Sequence, residues 1–276
     1  MDRSEPTNWP GRGAETAEAP QAAKPPVGPP AEKTTRATEV PAGLRRRGIA
    51  SPHPPSFSTP PSLARHLLLV VVYVAAGVAA TWPTATYLTG HQLPAVRDVS
   101  GYVWDLWWTS HQVVHLGNPF FTHLMAAPVG TQLGFDTTMP LAGLIMTPIT
   151  LAFGPVAAYS LLTIVLPGLL CYVMYRAARL WLAAPGAIAA GALFGLSSMM
   201  AWQDWYHLNI ALGTLFLPMT LEAAVRLRRR QADDMGAPGL RQGVILGLVL
   251  GASVLVNQES AVMAVLLAAA VLLPWL

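Results

Sequence analysis

Charge is the property this 276-residue sequence has least of. Only 11% of its residues are charged, against about 25% in a typical soluble domain, whereas 53% are apolar and the mean hydropathy is +0.43. Much of that charge falls before Leu67, after which apolar runs alternate with short polar joints. This composition excludes an ordinary soluble domain for most of the chain. We predict an all-α, polytopic transmembrane helix bundle over residues 67–276.

Cysteine is almost absent as well. Cys171 is the single cysteine and lies inside an apolar run, so an intrachain disulfide and a cysteine-rich metal site are both excluded. A small buried side chain is the simplest interpretation of it. The glycines form no phosphate-cradling loop, and no Gly-x-Ser-x-Gly elbow is present.

The excess of basic residues does not indicate a nucleic-acid partner. The net charge is +3 and the pI about 9.2, but the arginines cluster beside apolar runs, as cytoplasmic anchors of membrane helices do. The clusters are Arg45–Arg47 with Arg65, Arg176 with Arg179, and Arg226 with Arg228–Arg230. We predict a multi-pass plasma-membrane protein with a cytoplasmic N-terminus, membrane lipids as partners and no bound nucleic acid.

The chain divides into a tail and a membrane domain. Residues 1–66 are rich in proline and predict a disordered cytoplasmic tail. Six transmembrane segments are expected after it, at about 67–88, 156–175, 184–200, 208–225, 242–256 and 261–276; about 20 apolar residues suffice to cross the hydrocarbon core. The apolar run at the chain end is followed by no polar anchor, which leads us to expect a piece of a longer protein.

The outer loop, residues 89–155, is expected to hold interfacial or half-membrane helices. Trp104, Trp108, His111 and His115 recur at helical spacing, and Pro119 lies just beyond them, so we predict an amphipathic helix with its tryptophans at headgroup level. Residues 139–153 are apolar but short and contain two prolines. If this segment spanned the membrane, every later arginine cluster would face outward, so we predict a half-membrane helix there.

Several ionisable residues of the loop are candidates for chemistry. Asp98 follows the first span closely and suits a general base or a metal ligand, although the residues alone favour a solvated aspartate paired with Arg97. Asp105, seven residues later, falls on the same helical face. Arg97 has the geometry to bind a phosphate, but snorkelling or a pair with Asp98 explains it equally. His111 and His115 have the spacing of a helical metal pair, but histidines beside tryptophans also occur at interfaces without metal, and the sequence alone favours that explanation.

Three more candidates lie at the predicted outer ends of later helices. Asp204 precedes His207 by three residues and can orient or polarise it, while Glu259 is held in a minimal turn between two spans. An ordinary polar turn explains Asp204 and His207 equally, whereas a glutamate held between two spans is more suggestive of function. Glu222 differs, because Arg226 four residues later predicts an i,i+4 ion pair near the inner end of its helix.

The layout resembles the GT-C class of membrane glycosyltransferases. The resemblance covers roughly residues 67–276 and consists of an early-loop aspartate, a Trp-rich helix, two turns and a Pro-Leu half-helix. In this sequence these are Asp98, Trp104 to Trp108, Gly117 to Phe121, Pro128 to Gly130, and Pro140-Leu141. Members of the class usually have more spans and often a soluble C-terminal domain, which this sequence lacks. That difference puts activity of the chain by itself in question.

The resemblance implies a polyprenyl-phosphate-linked sugar donor, transfer at the outer face, Asp98 as the base or metal-site residue, and help from the next outer loop. Our catalytic candidates are Asp98, Asp204, His207 and Glu259. Our substrate-binding candidates are Arg97, Asp105, Trp108 and His111. A divalent metal ion is left open as a cofactor, and a transporter half or a non-catalytic membrane protein are the alternative functions.

Overall fold

The computed structural model describes residues 63–86, 88, 97–134, 136–232 and 239–273. Residues 1–62 of the predicted tail and the chain end at 274–276 lie outside them. The described part is predominantly helical, with one small antiparallel hairpin of β1 Phe121–Thr122 and β2 Thr131–Gln132. The helices are α1 Leu63–Ala80, α2 Arg97–His115, α3 Pro140–Phe153, α4 Pro155–Ala178, α5 Ala184–Gly195, α6 Ser198–Tyr206, α7 Leu208–Thr214, α8 Phe216–Ala232, α9 Leu240–Val254 and α10 Gln258–Leu272.

Three helical stretches of the described part are long and apolar enough to cross a membrane: Leu63–Ala80, Pro155–Ala178 and Leu208–Arg230. A fourth is obtained if α5 and α6, which meet at a bend of 44°, form one broken span. The segments predicted as spans at 242–256 and 261–276 correspond to α9 and α10, which have 15 residues each. At 1.5 Å per residue each measures about 23 Å, less than the roughly 30 Å of a hydrocarbon core.

Glycines bring α1, α4 and α5 into close contact. A Cβ atom added at Gly168 of α4 would lie 2.7 Å from the carbonyl oxygen of Tyr73 in α1, and one added at Gly191 of α5 would lie 2.5 Å from the carbonyl oxygen of Cys171 in α4. Backbones therefore touch where larger residues would hold them apart, as small residues allow in membrane helix pairs. The Tyr73 hydroxyl also donates to the carbonyl of Ile188 at 2.9 Å, which links α1 directly to α5.

The helix predicted from Trp104 to His115 is present and ends before Pro119, but it begins earlier, at Arg97, and one side of it is buried in protein. Val99 and Leu106 are almost completely buried and share a core cluster with Met139 of the loop, Leu170 of α4 and Leu208 of α7. The helix therefore packs against α3 and α4, while Trp107 of the same helix is exposed. This packing fixes the side of α2 that carries the candidate carboxylates.

The predicted ion pair of Glu222 and Arg226 is confirmed, with 2.9 Å between Oε1 and Nη2. Arg176 of α4 reaches the same carboxylate oxygen at 2.9 Å, a contact that sequence spacing does not reveal. Glu222 is buried, whereas both arginine side chains are about half exposed. The Glu222 carboxylate on α8 thus pairs with one arginine of its own helix and one arginine of α4, and so links the two helices.

Candidate functional site

Four of the eight candidate residues, Asp98, Asp105, His207 and Glu259, line a cleft of about 450 Å³. Its walls come from α2, from the loop before α3, from the start of α7 and from the start of α10. The lining residues are Asp98, Gly101, Tyr102, Trp104, Asp105, Met125, Asp136, Thr137, Thr138, His207, Asn209, Ile210 and Glu259. The volume falls within the range of small-molecule sites. Within the described lining, four carboxylates face one basic side chain, His207.

Asp98 and His207 face each other across this cleft. The Oδ2 atom of Asp98 lies 3.9 Å from Nε2 of His207, and both side chains are partly open to solvent, at 53% and 35%. This separation is too long for a direct hydrogen bond. A substrate hydroxyl that lies beside the pair can be within hydrogen-bond distance of both the carboxylate and the imidazole.

His207 is held by the backbone on both sides of the α6–α7 junction. Its N–H donates to the carbonyl of Gln203 at 2.7 Å, and its own carbonyl accepts from Ile210 at 2.9 Å and Ala211 at 3.1 Å. The residue thus ends one helix and begins the next. This double role fixes where the imidazole enters the cleft.

Asp105 forms the buried end of the site. Its Oδ2 accepts a hydrogen bond from the backbone N–H of Met139 at 2.7 Å, and the residue is 4% exposed. Burial raises the pKa of this carboxyl from an ordinary 3.8 to about 7, the hydrogen bond from Met139 opposes the rise, and the charge of Asp136 adds to it. Asp105 therefore exchanges its proton near neutral pH, unlike a solvated aspartate.

Tyr102 and Asn209 belong to the cleft although the sequence analysis did not select them. The Tyr102 hydroxyl donates to Oδ1 of Asn209 at 2.7 Å, which joins α2 to α7. Burial, and then the charge of Asp98, raise the pKa of Tyr102 to about 12. Tyr102 lies four residues after Asp98 and therefore on the helical face that Asp98 and Asp105 share. This spacing is the sequence feature that could have identified it.

Glu259 lines the cleft from the first turn of α10. Asn257 caps this helix by accepting a hydrogen bond from the Ser260 N–H at 2.6 Å. Gln258 donates to the carbonyl of Gly134 at 2.6 Å. The short turn predicted from the sequence thus places a carboxylate opposite α2.

Asp204 is not among the lining residues. It is 1% exposed, and neither of its carboxylate oxygens has a hydrogen-bond partner among the described residues. Nδ1 of His207 is buried in the same turn and also has no partner there. Asp204 therefore lies behind the cleft wall and has no contact with the open space.

Two further substrate-binding candidates, Trp108 and His111, lie on α2 and are not among the residues that line the cleft. Trp108 is 7% exposed and its Nε1 donates to the carbonyl of Pro119 at 3.0 Å, a structural role. His111 stacks against Trp107 at 5.4 Å. Trp104, which stacks on Trp108 at 5.6 Å, is the ring of this group that reaches the cleft. Arg97 begins α2, and its side chain lies outside the described part.

A separate apolar groove of about 210 Å³ is lined by side chains of α3 and α4. The lining residues are Leu88, Ile149, Phe153, Ala157 and Leu161. Ile149 and Phe153 lie nine and thirteen residues after Pro140, the first residue of α3, or about 14 and 20 Å along that helix. The groove therefore lies away from the cleft residues Thr137 and Thr138, which precede α3.

No protein family, curated protein or solved structure matches this chain. Among the described residues there is also no group of three or more His, Cys, Asp or Glu side chains placed to hold a metal ion. The chemistry of the cleft itself is accordingly the basis for assigning a function.

Proposed function

We propose that this chain is a multi-pass plasma-membrane glycosyltransferase that moves a sugar from a polyprenyl-phosphate donor to an acceptor at the outer face. The observation that carries the proposal is the polar cleft in which Asp98 faces His207 across 3.9 Å. The resemblance of the sequence to the GT-C class supports the same activity. Six spans and a cytoplasmic N-terminus form part of the proposal.

The separation of charges supports an outer-face site. Tyr159, near the start of α4, donates to the carbonyl of Trp205 at 3.0 Å, two residues before His207. Arg176, at the other end of α4, belongs to the arginine cluster around Glu222. Seventeen residues of helix separate them by about 25 Å. The acidic cleft and the arginines thus lie at opposite ends of α4, and arginines favour the cytoplasmic side.

In the proposed reaction Asp98 acts as the base. The acceptor hydroxyl gives its proton to the Asp98 carboxylate while its oxygen bonds to the anomeric carbon. The bond from that carbon to the phosphate oxygen breaks, and the electron pair leaves on the lipid phosphate. A phosphate is a stabilised leaving group, so a base and a cation suffice. His207 is the basic group of the described lining that lies nearest to Asp98.

The two cavities suit the two parts of such a donor. Carboxylates, Asn209 and the threonines of the cleft offer hydrogen-bond partners to sugar hydroxyls. The groove beside Ile149 and Phe153 offers an apolar surface to an isoprenoid chain. A transporter half, the alternative function, needs a path for solute through the bundle instead of a polar cleft at one end.

The test is turnover by the full chain in proteoliposomes that contain radiolabelled polyprenyl-phosphate hexoses. We expect the Asp98→Asn variant to lose at least about 100-fold in rate, the usual contribution of a general base. Gln112→Ala, on the same helix but outside the cleft, is the control and keeps its rate. Turnover that persists in Asp98→Asn would refute the role of Asp98. Solute uptake without sugar transfer by the wild type would refute the glycosyltransferase and favour the transporter.

A further inference from the structure

The last turn of α2 presents two histidine rings side by side. His111 and His115 have ring centroids 4.1 Å apart and ring planes tilted by 38°. His115 is exposed and His111 is partly exposed. Two imidazole nitrogens bound to one Zn²⁺ at about 2.0–2.1 Å lie no more than about 4 Å apart. Rings this close, with planes inclined to each other, are compatible with that separation.

A backbone hydrogen bond determines which ring nitrogen of His115 carries the hydrogen. Its Nδ1 lies 2.7 Å from the carbonyl oxygen of His111. A carbonyl oxygen only accepts, so Nδ1 carries the proton and donates. The neutral ring then has its lone pair on Nε2. Histidines that bind metals are held in this way, with the other ring nitrogen donating to a carbonyl or a carboxylate.

We propose that His111 and His115 form a two-imidazole site for a borderline divalent transition metal, such as Zn²⁺, Cu²⁺ or Ni²⁺. Imidazole nitrogens prefer these ions over Mg²⁺ and Ca²⁺, which prefer oxygen ligands. The described residues provide no third His, Cys, Asp or Glu ligand. The remaining coordination positions therefore belong to water or to a ligand from outside the chain. The site is distinct from the cleft and does not depend on the proposed sugar transfer.

Two tryptophans close to His111 allow metal binding to be followed by fluorescence. Trp107 and Trp108 have ring centroids 5.4 Å and 6.0 Å from that of His111. A Cu²⁺ ion bound to His111 quenches the fluorescence of indole rings at such distances, whereas Zn²⁺ does not. Zn²⁺ that competes for the same site therefore restores the emission.

The experiment titrates Cu²⁺ into the full chain in detergent, purified without a polyhistidine tag, and then adds Zn²⁺. We expect saturable quenching that Zn²⁺ reverses, and that disappears on acidification because protons take the imidazole lone pairs. His111→Ala and His115→Ala should each weaken Cu²⁺ binding by more than about tenfold, the lower end of the loss seen when even a second-shell partner of a metal site is removed. His123→Ala, which removes another outer-loop histidine, is the matched control and should bind like the wild type.

Unchanged affinity in either His111→Ala or His115→Ala would overturn the proposal. So would an equal loss in His123→Ala, since the ion would then bind elsewhere. A circular dichroism spectrum and a melting curve of each variant show that α2 is still folded. For a variant that fails to fold, the corresponding glutamine substitution replaces it, because glutamine keeps the helix but offers no imidazole.

Discussion

The carboxylate of Asp105 accepts a hydrogen bond from the backbone N–H of Met139 at 2.7 Å. Met139 is the residue immediately before α3 and is itself completely buried. One bond thus joins the middle of α2 to the start of α3 across 34 residues of sequence. Because the Asp105 carboxyl is buried only when the protein is folded, its pKa differs between the folded and the unfolded state.

The protonation of Asp105 predicts how stability depends on pH. Burial raises the pKa of its carboxyl to about 7, above the 3.8 of an unfolded chain. Between about pH 4 and pH 7 the folded state binds the proton that the unfolded state has lost, so this group makes the protein less stable as the pH rises. One group accounts for at most about 1.4 kcal/mol per pH unit. Melting midpoints of the wild type and Asp105→Asn in micelles from pH 4 to pH 8 measure the effect.

We expect the difference between wild type and Asp105→Asn to change across that window and to be constant above it. Asp136→Asn is the comparison, because it removes an exposed carboxyl of the same cleft and leaves Asp105 in place. That variant should retain the dependence. Parallel melting curves of Asp105→Asn and wild type at every pH would show that Asp105 does not bind a proton near neutrality.

The carboxylate of Glu222, shared by two arginines, predicts that removing the acid and removing one of its partners have unequal effects. Glu222→Gln leaves Arg176 and Arg226 without their acid and loosens the contact between α4 and α8. Since both arginines are about half exposed, we expect a loss of on the order of 2 kcal/mol, less than for a fully buried pair. Arg226→Gln should cost less, because Arg176 still balances the buried charge. Thermal unfolding of the two variants measures both losses of stability. A larger loss for Arg226→Gln than for Glu222→Gln would contradict this arrangement.

Close helix packing at Gly168 predicts a sharp sensitivity to one methyl group. A Cβ there would lie 2.7 Å from both the Tyr73 carbonyl oxygen and the Val74 Cα. These are backbone atoms, so α1 has to move away, and Gly168→Ala should lower the free energy of unfolding by about 1–3 kcal/mol. The measurement is the midpoint of unfolding in detergent.

Gly247→Ala provides the matched control for Gly168→Ala. Gly247 also lies inside a helix, but a Cβ at that position meets no atom within 4 Å. Alanine is the better helix former by about 1 kcal/mol, so stability should stay the same or rise. Equal destabilisation by both substitutions would mean that packing against α1 is not the cause.

Much of the architecture followed from local features of the sequence. The helical spacing of the tryptophans and histidines predicts α2, which the structure places at Arg97–His115. The four-residue separation of Glu222 and Arg226 predicts their ion pair, because such residues are neighbours on any helix. In contrast, α9 begins two residues before the span expected at 242–256, and α10 begins three residues before the one expected at 261–276, because hydropathy does not report where polar residues such as Asn257 cap a helix.

The candidate site depended on longer-range relationships. Asp98 and Asp105 share a helical face by spacing alone, but Asp204 and His207, three residues apart, take different positions, one buried and one at the cleft. The path of the backbone through the α6–α7 junction separates them. Sequence spacing loses its meaning where a helix ends, since the next residue no longer follows the helical rotation.

The sequence by itself determined which segments are apolar helices, where the arginines cluster and which ionisable residues are candidates for chemistry, since these depend on composition and on neighbours within one turn. Only the tertiary structure decided that Asp98 faces His207, that Asp105 meets Met139 and that Tyr102 binds Asn209. These partners lie 34 to 109 positions apart along the chain. Their meeting depends on how α2, α3 and α7 pack, and that packing is set jointly by many side chains.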